Sequence, residues 1–301
     1  MPITRLDQML DLLKSRPRKR LVAACANDSH TVAAAGQAVD LGIVDATLVG
    51  DEAKIRAACA QDRIDPGKFA IVHEPDEAAA ISRSVAMINA GEGQLLMKGL
   101  VSSDRYMRAI LDRERGLMDP GAILSHVSVI ENPRHPKLII CGDVAVIPQP
   151  DLKEKIAILQ YLIRTARALG IERPKVAILA ASEQVLPKMQ ACVDAAILAK
   201  MSERGQIQGA VVDGPLALDA AIDRESAEIK GLSGEVAGDA DCLLFPNIES
   251  GNVFYKTNTK LAGAELGAIV AGARAPAILS SRGDTVKTKM YSIALGALTA
   301  G

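Results

Sequence analysis

The sequence predicts a two-lobed α/β protein built on mainly parallel sheets flanked by helices. Three observations lead there. Short apolar runs alternate with longer stretches of helical periodicity through most of the 301 residues, the rhythm of β-α-β units with right-handed crossovers. The hydrophobic fraction is 49%, yet aromatic residues make up 2% and Trp is absent. Ala, Ile, Leu and Val must therefore fill the core, as they do around buried parallel strands covered by helices. The rhythm breaks near the middle, where apolar runs follow one another too closely for a crossover helix.

In chain order, MPITRLDQMLDLLKSRPRKR spaces Leu and Met at helical intervals. It has no unbroken apolar region and no small-residue cleavage site, so it is not read as a signal peptide. RLVAACA reads as a strand. SHTVAAAGQAVDLG reads as a helix, with Ser29 as a candidate N-cap and Gly42 as its stop. ATLVG and FAIVH are strands around the helical DEAKIRAACAQ. PDEAAAISRSVAMINAG is a helix with Pro75 near its start, and QLLMKG a strand ending at Lys98 and Gly99. The segment ILSHVSVIENPRHPKLIICGDVAVIPQP reads as two or three antiparallel strands joined by the turn NPRHP. His135, in that turn, is expected to be exposed and inert.

Alternation then resumes. DLKEKIAILQYLIRTARALG, PKMQACVDAAILAKMSERG and LALDAAIDRESAEIKG are expected helices, interleaved with the strands KVAILA, GAVVDG and DCLLFP. LLFPNIESGNVFYKTNTK carries an apolar strand into a polar, Asn-rich turn. AELGAIVAGARAPAILSS and a final helix, DTVKTKMYSIALGAL, complete the chain. No linker or low-complexity tract interrupts it. Two lobes with exchanged segments fit, approximately residues 1–125 plus 275–301, and 126–274.

The formal net charge is −1, which offers no basic surplus for nucleic acid or an anionic membrane. No run of about 18 uncharged apolar residues exists to span a bilayer. The five cysteines form no CxxC or CxxH pair, which points to reduced thiols in the cytoplasm rather than to disulfides or zinc. No GxGxxG follows a strand, and no GxxxxGK[ST] occurs.

In open α/β sheets ligands bind beyond the C-terminal ends of the strands. Residues following the apolar runs are therefore candidates: Lys98, Ser102, Ser103 and Arg108; Ser125 and His126; Asp143; Asp213; Asn247, Gly251, Asn252 and Lys256; Ser281, Arg282 and Asp284. Any one of them is an ordinary turn or cap residue. Six such ends offering cations, hydroxyls and amides suit an anionic ligand, and Lys98, Arg108, Lys256 and Arg282 in one crevice would suit phosphate. His126 reads equally as a general acid or phosphate ligand and as a buried histidine bonded to backbone.

LLMKGLVSSDRYMRAIL, LSHVSV, VVDGPLALDAA, AGDADCLLFPNIESGNVFYK and SSRGD, in this order and spacing, resemble the phosphate acetyl/butyryltransferase family. The butyryl branch is the closer, through MKGL followed by LSH and through overall length. The resemblance runs from about Arg20 to the C-terminus. It implies a fold like that of isocitrate and isopropylmalate dehydrogenases, and a homodimer or larger homo-oligomer. It implies reversible transfer of a short acyl group between coenzyme A and inorganic phosphate, with no permanently bound cofactor and no metal. Asn247 and Asn252 would bond the substrates in an interlobe cleft, with Asn247 also readable as a structural turn. Gly251 would admit close backbone approach, and Lys256 would add charge. Ser281 would bond the thioester carbonyl or thiol, while Arg282 and Arg108 would hold phosphate. Lys98, Ser125, His126 and Asp213 would line the substrates. The acetyl branch places its base aspartate seven residues after the motif serine, where this chain has Thr288. Asp284 is the nearby carboxylate, readable as the base or as a helix cap. The rival functions are an acetyl-specific transferase, a non-catalytic acyl-CoA or acyl-phosphate sensor, and a metal-dependent dehydrogenase on the same fold.

Overall fold

The computed structural model describes residues 2–279 and 284–301. The chain forms two compact units. A flanking unit comprises Leu6–Leu124 and Leu266–Gly301, and a central unit comprises Met1–Arg5 and Ser125–Glu265.

The flanking unit opens with α1 (Asp7–Lys14), β1 (Lys19–Ala24), α2 (Ser29–Asp40), β2 (Val44–Gly50), α3 (Glu52–Gln61), β3 (Ala70–His73), α4 (Glu77–Asn89), β4 (Leu95–Lys98) and α5 (Ser103–Leu111). Helices α2 to α5 start on Asp28, Asp51, Asp76 and Ser102, whose side chains accept first-turn amides from extended backbone. Ser29, expected to be the cap of α2, is its first helical residue; Asp28 caps it instead.

The central unit starts with β5 (Ser125–Glu131) and β6 (Ile139–Gly142), antiparallel across NPRHP as the short spacing requires. No third strand forms from VAVIP. His135 is half-buried in the turn rather than exposed. Burial and then Lys137 push its pKa below the usual imidazole value, so it is neutral at pH 7. Next come α6 (Leu152–Ala168), with a capping box between Asp151 and Glu154, β7 (Lys175–Leu179), α7 (Gln190–Glu203) and β8 (Val211–Leu216). One helix was expected over LALDAAIDRESAEIKG, but two form: α8 (Leu218–Ile222) and α9 (Arg224–Ile229). Asp223 divides them because its backbone is extended and its carboxylate caps α9. Then follow β9 (Cys242–Leu244) and α10 (Ile248–Lys260). The chain returns to the flanking unit as β10 (Glu265–Ala271), β11 (Ala277–Ile278) and α11 (Val286–Thr299).

Strand order is β3-β2-β1-β4-β11-β10 in the flanking unit and β5-β6-β9-β7-β8 in the central unit. The β10–β11 and β5–β6 pairs are antiparallel and the other pairings within each unit are parallel. Both sets are buried on two faces. Val22, Leu48, Leu95, Leu96 and Met97 are inaccessible in one, and Ile140, Val176, Leu243 and Leu244 in the other. Each such side chain contributes about 1.5–3 kcal/mol by leaving water. All five cysteines are free and buried. No helix among the described residues is long and apolar enough to cross a membrane.

Candidate functional site

In the central unit the candidate residues gather around Asp143, at the end of β6. Its carboxylate accepts from the Ser125 hydroxyl (3.0 Å), the His126 amide (3.0 Å), and the amides of Ala145 (2.7 Å), Val146 (2.8 Å) and Ile147 (3.3 Å). Five contacts on one buried carboxylate lock the loop after β6 to the head of β5. Ser125 is thereby committed to Asp143. His126 is 5% exposed; its Nδ1 lies 3.3 Å from the Ser128 hydroxyl and its ring meets Tyr255 edge-on at 6.3 Å.

Residues 248–260, expected to form a turn, are helix α10. Asn247 is its N-cap and accepts from the Ser250 amide (3.0 Å) and hydroxyl (2.8 Å). A cap converts a polar, Gly-containing sequence into a helix start that periodicity alone does not reveal. Gly251 lies inside that helix. A Cβ there would stand 2.3 Å from the Asp143 carbonyl oxygen and 3.1 Å from the Phe245 ring. The close approach glycine permits is thus that of α10 to the Asp143 loop. Asn252, next along, donates to the Val144 carbonyl (3.2 Å). Lys256 is exposed, with its ammonium 4.9 Å from the centre of the Tyr255 ring. Ser125, His126, Gly251 and Asn252 therefore converge on Asp143 and Val144. Asp213 stands apart on β8, with β7 and β9 between it and β6; its carboxylate takes the Gly214 amide (2.8 Å).

The other side of α10 borders two cavities. Val253 and Phe254, with Leu179, Leu218 and Phe245, line an apolar groove of about 630 Å³. Asn247 borders a pocket of about 610 Å³ whose lining includes the buried Lys155–Asp194 pair, 2.6 Å apart.

In the flanking unit, Lys98 ends β4 with 3% exposure and donates to the carbonyls of Gly99 (3.2 Å) and Val101 (2.9 Å). A buried ammonium is thus wrapped by the KGLV turn. Gly99 is obligatory there, since a Cβ would fall 2.3 Å from the Cys25 carbonyl oxygen. Burial, reinforced by Glu77 and opposed by Lys98, pushes the Cys25 thiol up to about 11. It is a protonated thiol at neutral pH rather than a nucleophile. Arg108 is 78% exposed and pairs with Asp104 at 3.0 Å, one helical turn away. Ser281 and Arg282 lie outside the described residues. Thr285, not Asp284, caps α11: its hydroxyl accepts the Thr288 amide at 3.1 Å and lies 3.1 Å from the Thr288 hydroxyl. Thr288 thus takes part in a cap where the acetyl branch has its acid.

Three buried or capping residues received no particular role from the sequence. Asp143 was visible only as a polar residue after a strand. Asp28 was signalled by its place just before a helical run. Lys289 is 4% exposed on α11; a lysine among alternating polar residues reads as a solvated face.

These two α/β units, with amides, hydroxyls and a buried lysine at strand ends, define a class of ligand-binding α/β enzymes that carry neither a dinucleotide fingerprint nor a P-loop. The Phosphate acetyl/butaryl transferase family model matches residues 77–297, and the chain belongs to that family. It is 44% identical to phosphate butyryltransferase of Clostridium acetobutylicum, over 99% of both chains. It is 39% identical to phosphate acetyltransferase of Rhizobium meliloti, over 99% of this chain and 94% of that one. Among solved structures it resembles a branched-chain phosphotransacylase from Enterococcus faecalis V583, with TM-score 0.81 and 28% identity over 93% of this chain and 98% of that chain. A 4-hydroxythreonine-4-phosphate dehydrogenase from Klebsiella pneumoniae shares the fold at TM-score 0.57 and 12% identity, over 94% of this chain and all of that one.

Proposed function

We propose that this enzyme transfers a short acyl group, butyryl foremost, reversibly between coenzyme A and inorganic phosphate. The observation that carries the reading is end-to-end similarity, at 44% identity, to a phosphate butyryltransferase. The matching segments include the Asp143-anchored β5 head and α10. A phosphate oxygen attacks the thioester carbonyl, the C–O bond forms, the C–S bond breaks, and the thiolate leaves to take up a proton. Nucleophile and leaving group are both anionic, so the site must supply cations and fixed donors where charge develops. No acyl-enzyme is needed; holding both reactants in register does most of the work.

Within this reading Arg282 clamps phosphate through two N–H groups. Ser281 bonds the carbonyl or thiol, and Asp284 accepts the thiol proton when the reaction runs toward acyl-CoA. Thr285 supplies the α11 cap, which supports reading Asp284 as the base rather than as the cap. Lys98, Arg108 and Lys256 contribute positive potential, and Asn247, Asn252, Ser125, His126 and Asp213 shape and orient the substrates. The reaction draws on no permanently bound cofactor and no metal. The family resemblance also favours a cytoplasmic homodimer or larger homo-oligomer.

The test is free-thiol release from acyl-CoAs of two to six carbons, with and without phosphate and without metal or nicotinamide. Phosphate-dependent release, greatest near four carbons, is expected. A maximum at two carbons would assign the acetyl reaction, and no release from any chain length would overturn catalysis.

A further inference from the structure

We propose that Tyr255 is a positioning residue for substrate binding: its ring, set against His126, holds the Lys256 ammonium where it meets a phosphate group of the substrates. The inference rests on the proposed reading of Lys256 as a cation that serves phosphate-dependent acyl transfer.

The observations all lie in the central unit. Lys256 is exposed on α10. Among the described residues its ammonium makes no hydrogen bond and no ion pair; it sits over the Tyr255 ring, 4.9 Å from the centre. Several lysines of the same unit are compensated instead. Lys137 reaches Asp239 and Asp241, Lys155 reaches Asp194, Lys175 reaches Asp239, and Lys230 reaches Glu183 and Asp219. Lys256 therefore keeps its whole charge for a ligand. An exposed lysine carries that charge on a flexible four-carbon stem and spreads it over a wide volume. A ring face narrows the volume, because the ammonium is drawn to the negative face of the π-system.

The ring is itself held in place. Gly251 seats α10 against the Asp143 loop, and Asn252 donates to the Val144 carbonyl at 3.2 Å. Tyr255 lies one turn beyond Gly251, on the same face of the helix. There it meets His126, with ring centres 6.3 Å apart and planes 79° apart, the edge-to-face arrangement that aromatic pairs prefer. His126 is fixed in turn. Its amide donates to the Asp143 carboxylate at 3.0 Å, and its Nδ1 lies 3.3 Å from the buried Ser128 hydroxyl. The contacts run without a gap from a buried carboxylate to an exposed cation: Asp143, His126, Tyr255, Lys256. Packing alone would be served by Leu or Met at this half-buried position; an aromatic ring adds a face that a cation recognises. The ligand such a steadied cation suits is a phosphate group. Acyl phosphate carries one at the reacting centre, and coenzyme A carries others at its nucleotide end.

The experiment measures kcat and the separate KM values for acyl phosphate and CoA. It uses the full-length enzyme and the variants Tyr255→Leu, Tyr255→Phe, Lys256→Met and Tyr255→Leu/Lys256→Met. A cation over an exposed ring gains about two- to fivefold in occupancy. Tyr255→Leu should therefore raise KM by about that factor for the reactant whose phosphate Lys256 meets, with kcat nearly unchanged. A rise for acyl phosphate assigns the reacting phosphate, and a rise for CoA assigns the nucleotide end. Tyr255→Phe keeps the ring face and should restore the wild-type KM. With Lys256→Met already present, Tyr255→Leu should add nothing. If Lys256→Met raises a KM but Tyr255→Leu does not, the inference fails alone. If Lys256→Met turns over like wild type with both KM values unchanged, Lys256 is no substrate contact and the inference falls with that reading. A Tyr255→Leu effect that persists without Lys256 would assign the ring to packing and overturn the proposal. So would a Tyr255→Phe defect as large as that of Tyr255→Leu, which would assign the effect to the hydroxyl. Should Tyr255→Leu not fold, Tyr255→Met, unbranched and ringless, carries the same comparison.

Discussion

Asp143 and Asp28 both lie beyond the end of a strand, β6 and β1, and the fold treats them oppositely. Asp143, in the central unit, takes five hydrogen bonds on its two oxygens. Asp28, in the flanking unit, takes one amide, and its second oxygen is buried without a hydrogen-bond partner among the described residues. A fully satisfied carboxylate is a structural fastener, since every donor around it would be stranded by its loss. A half-satisfied one adds little to stability and keeps its charge available for a cation. The contrast separates a carboxylate that fastens a loop from one that only caps a helix.

Asp143→Ala should do the most damage. It strands several buried amides and a hydroxyl, each costing about 1–3 kcal/mol, so the urea midpoint should fall by an amount worth about 4 kcal/mol or more. A loss under about 1 kcal/mol would mean that water readily replaces the carboxylate, and the contrast with Asp28 would disappear. Gly251→Ala follows. The new methyl meets the Asp143 carbonyl oxygen at 2.3 Å, so α10 must retreat from the loop, at about 2–3 kcal/mol for overpacking. A near-neutral result would show that α10 and the Asp143 loop are not tightly joined.

Asn247→Ala should cost about 1 kcal/mol through the lost cap, read as a small drop in Tm. Its companion, Asn247→Asp, sharpens the comparison, because aspartate caps as well as asparagine. Unchanged stability with a raised KM for CoA or phosphate would show that the Asn247 amide also meets substrate. Unchanged kinetics would leave it a cap alone. The smallest stability effect belongs to Asp28→Asn, at about 0.5 kcal/mol or less, since the cap survives and a buried charge is removed. A loss comparable to that of Asp143→Ala would show Asp28 to be a fastener too.

Local chemistry was legible in order of its locality. The alternating runs RLVAACA, ATLVG and QLLMKG became β1, β2 and β4 because burial on both faces leaves an unbroken apolar signature. The antiparallel β5–β6 pair followed from a turn too short for a crossover. The helix over residues 248–260 was not legible. Its apolar positions are few, its interior carries Gly251 and two asparagines, and its start depends on one side-chain cap at Asn247. Ser29 was read as a cap one residue late, because Asp28 and Ser29 are both good caps and only backbone geometry chooses between them.

By itself, the sequence determined the α/β class, the strand succession and the family, since periodicity and short motifs are written in neighbouring residues. It also placed Asn247, Gly251 and Asn252 together, being near one another in the chain. Only the tertiary structure decided what Gly251 is for. Its missing side chain makes room for the carbonyl of Asp143, and the neighbouring Asn252 amide bonds Val144, 108 positions away. Only the tertiary structure packed α11 against α2, helices at opposite ends of the chain. Burial and charge compensation are sums over the surrounding groups in space, and no local window of sequence contains those groups.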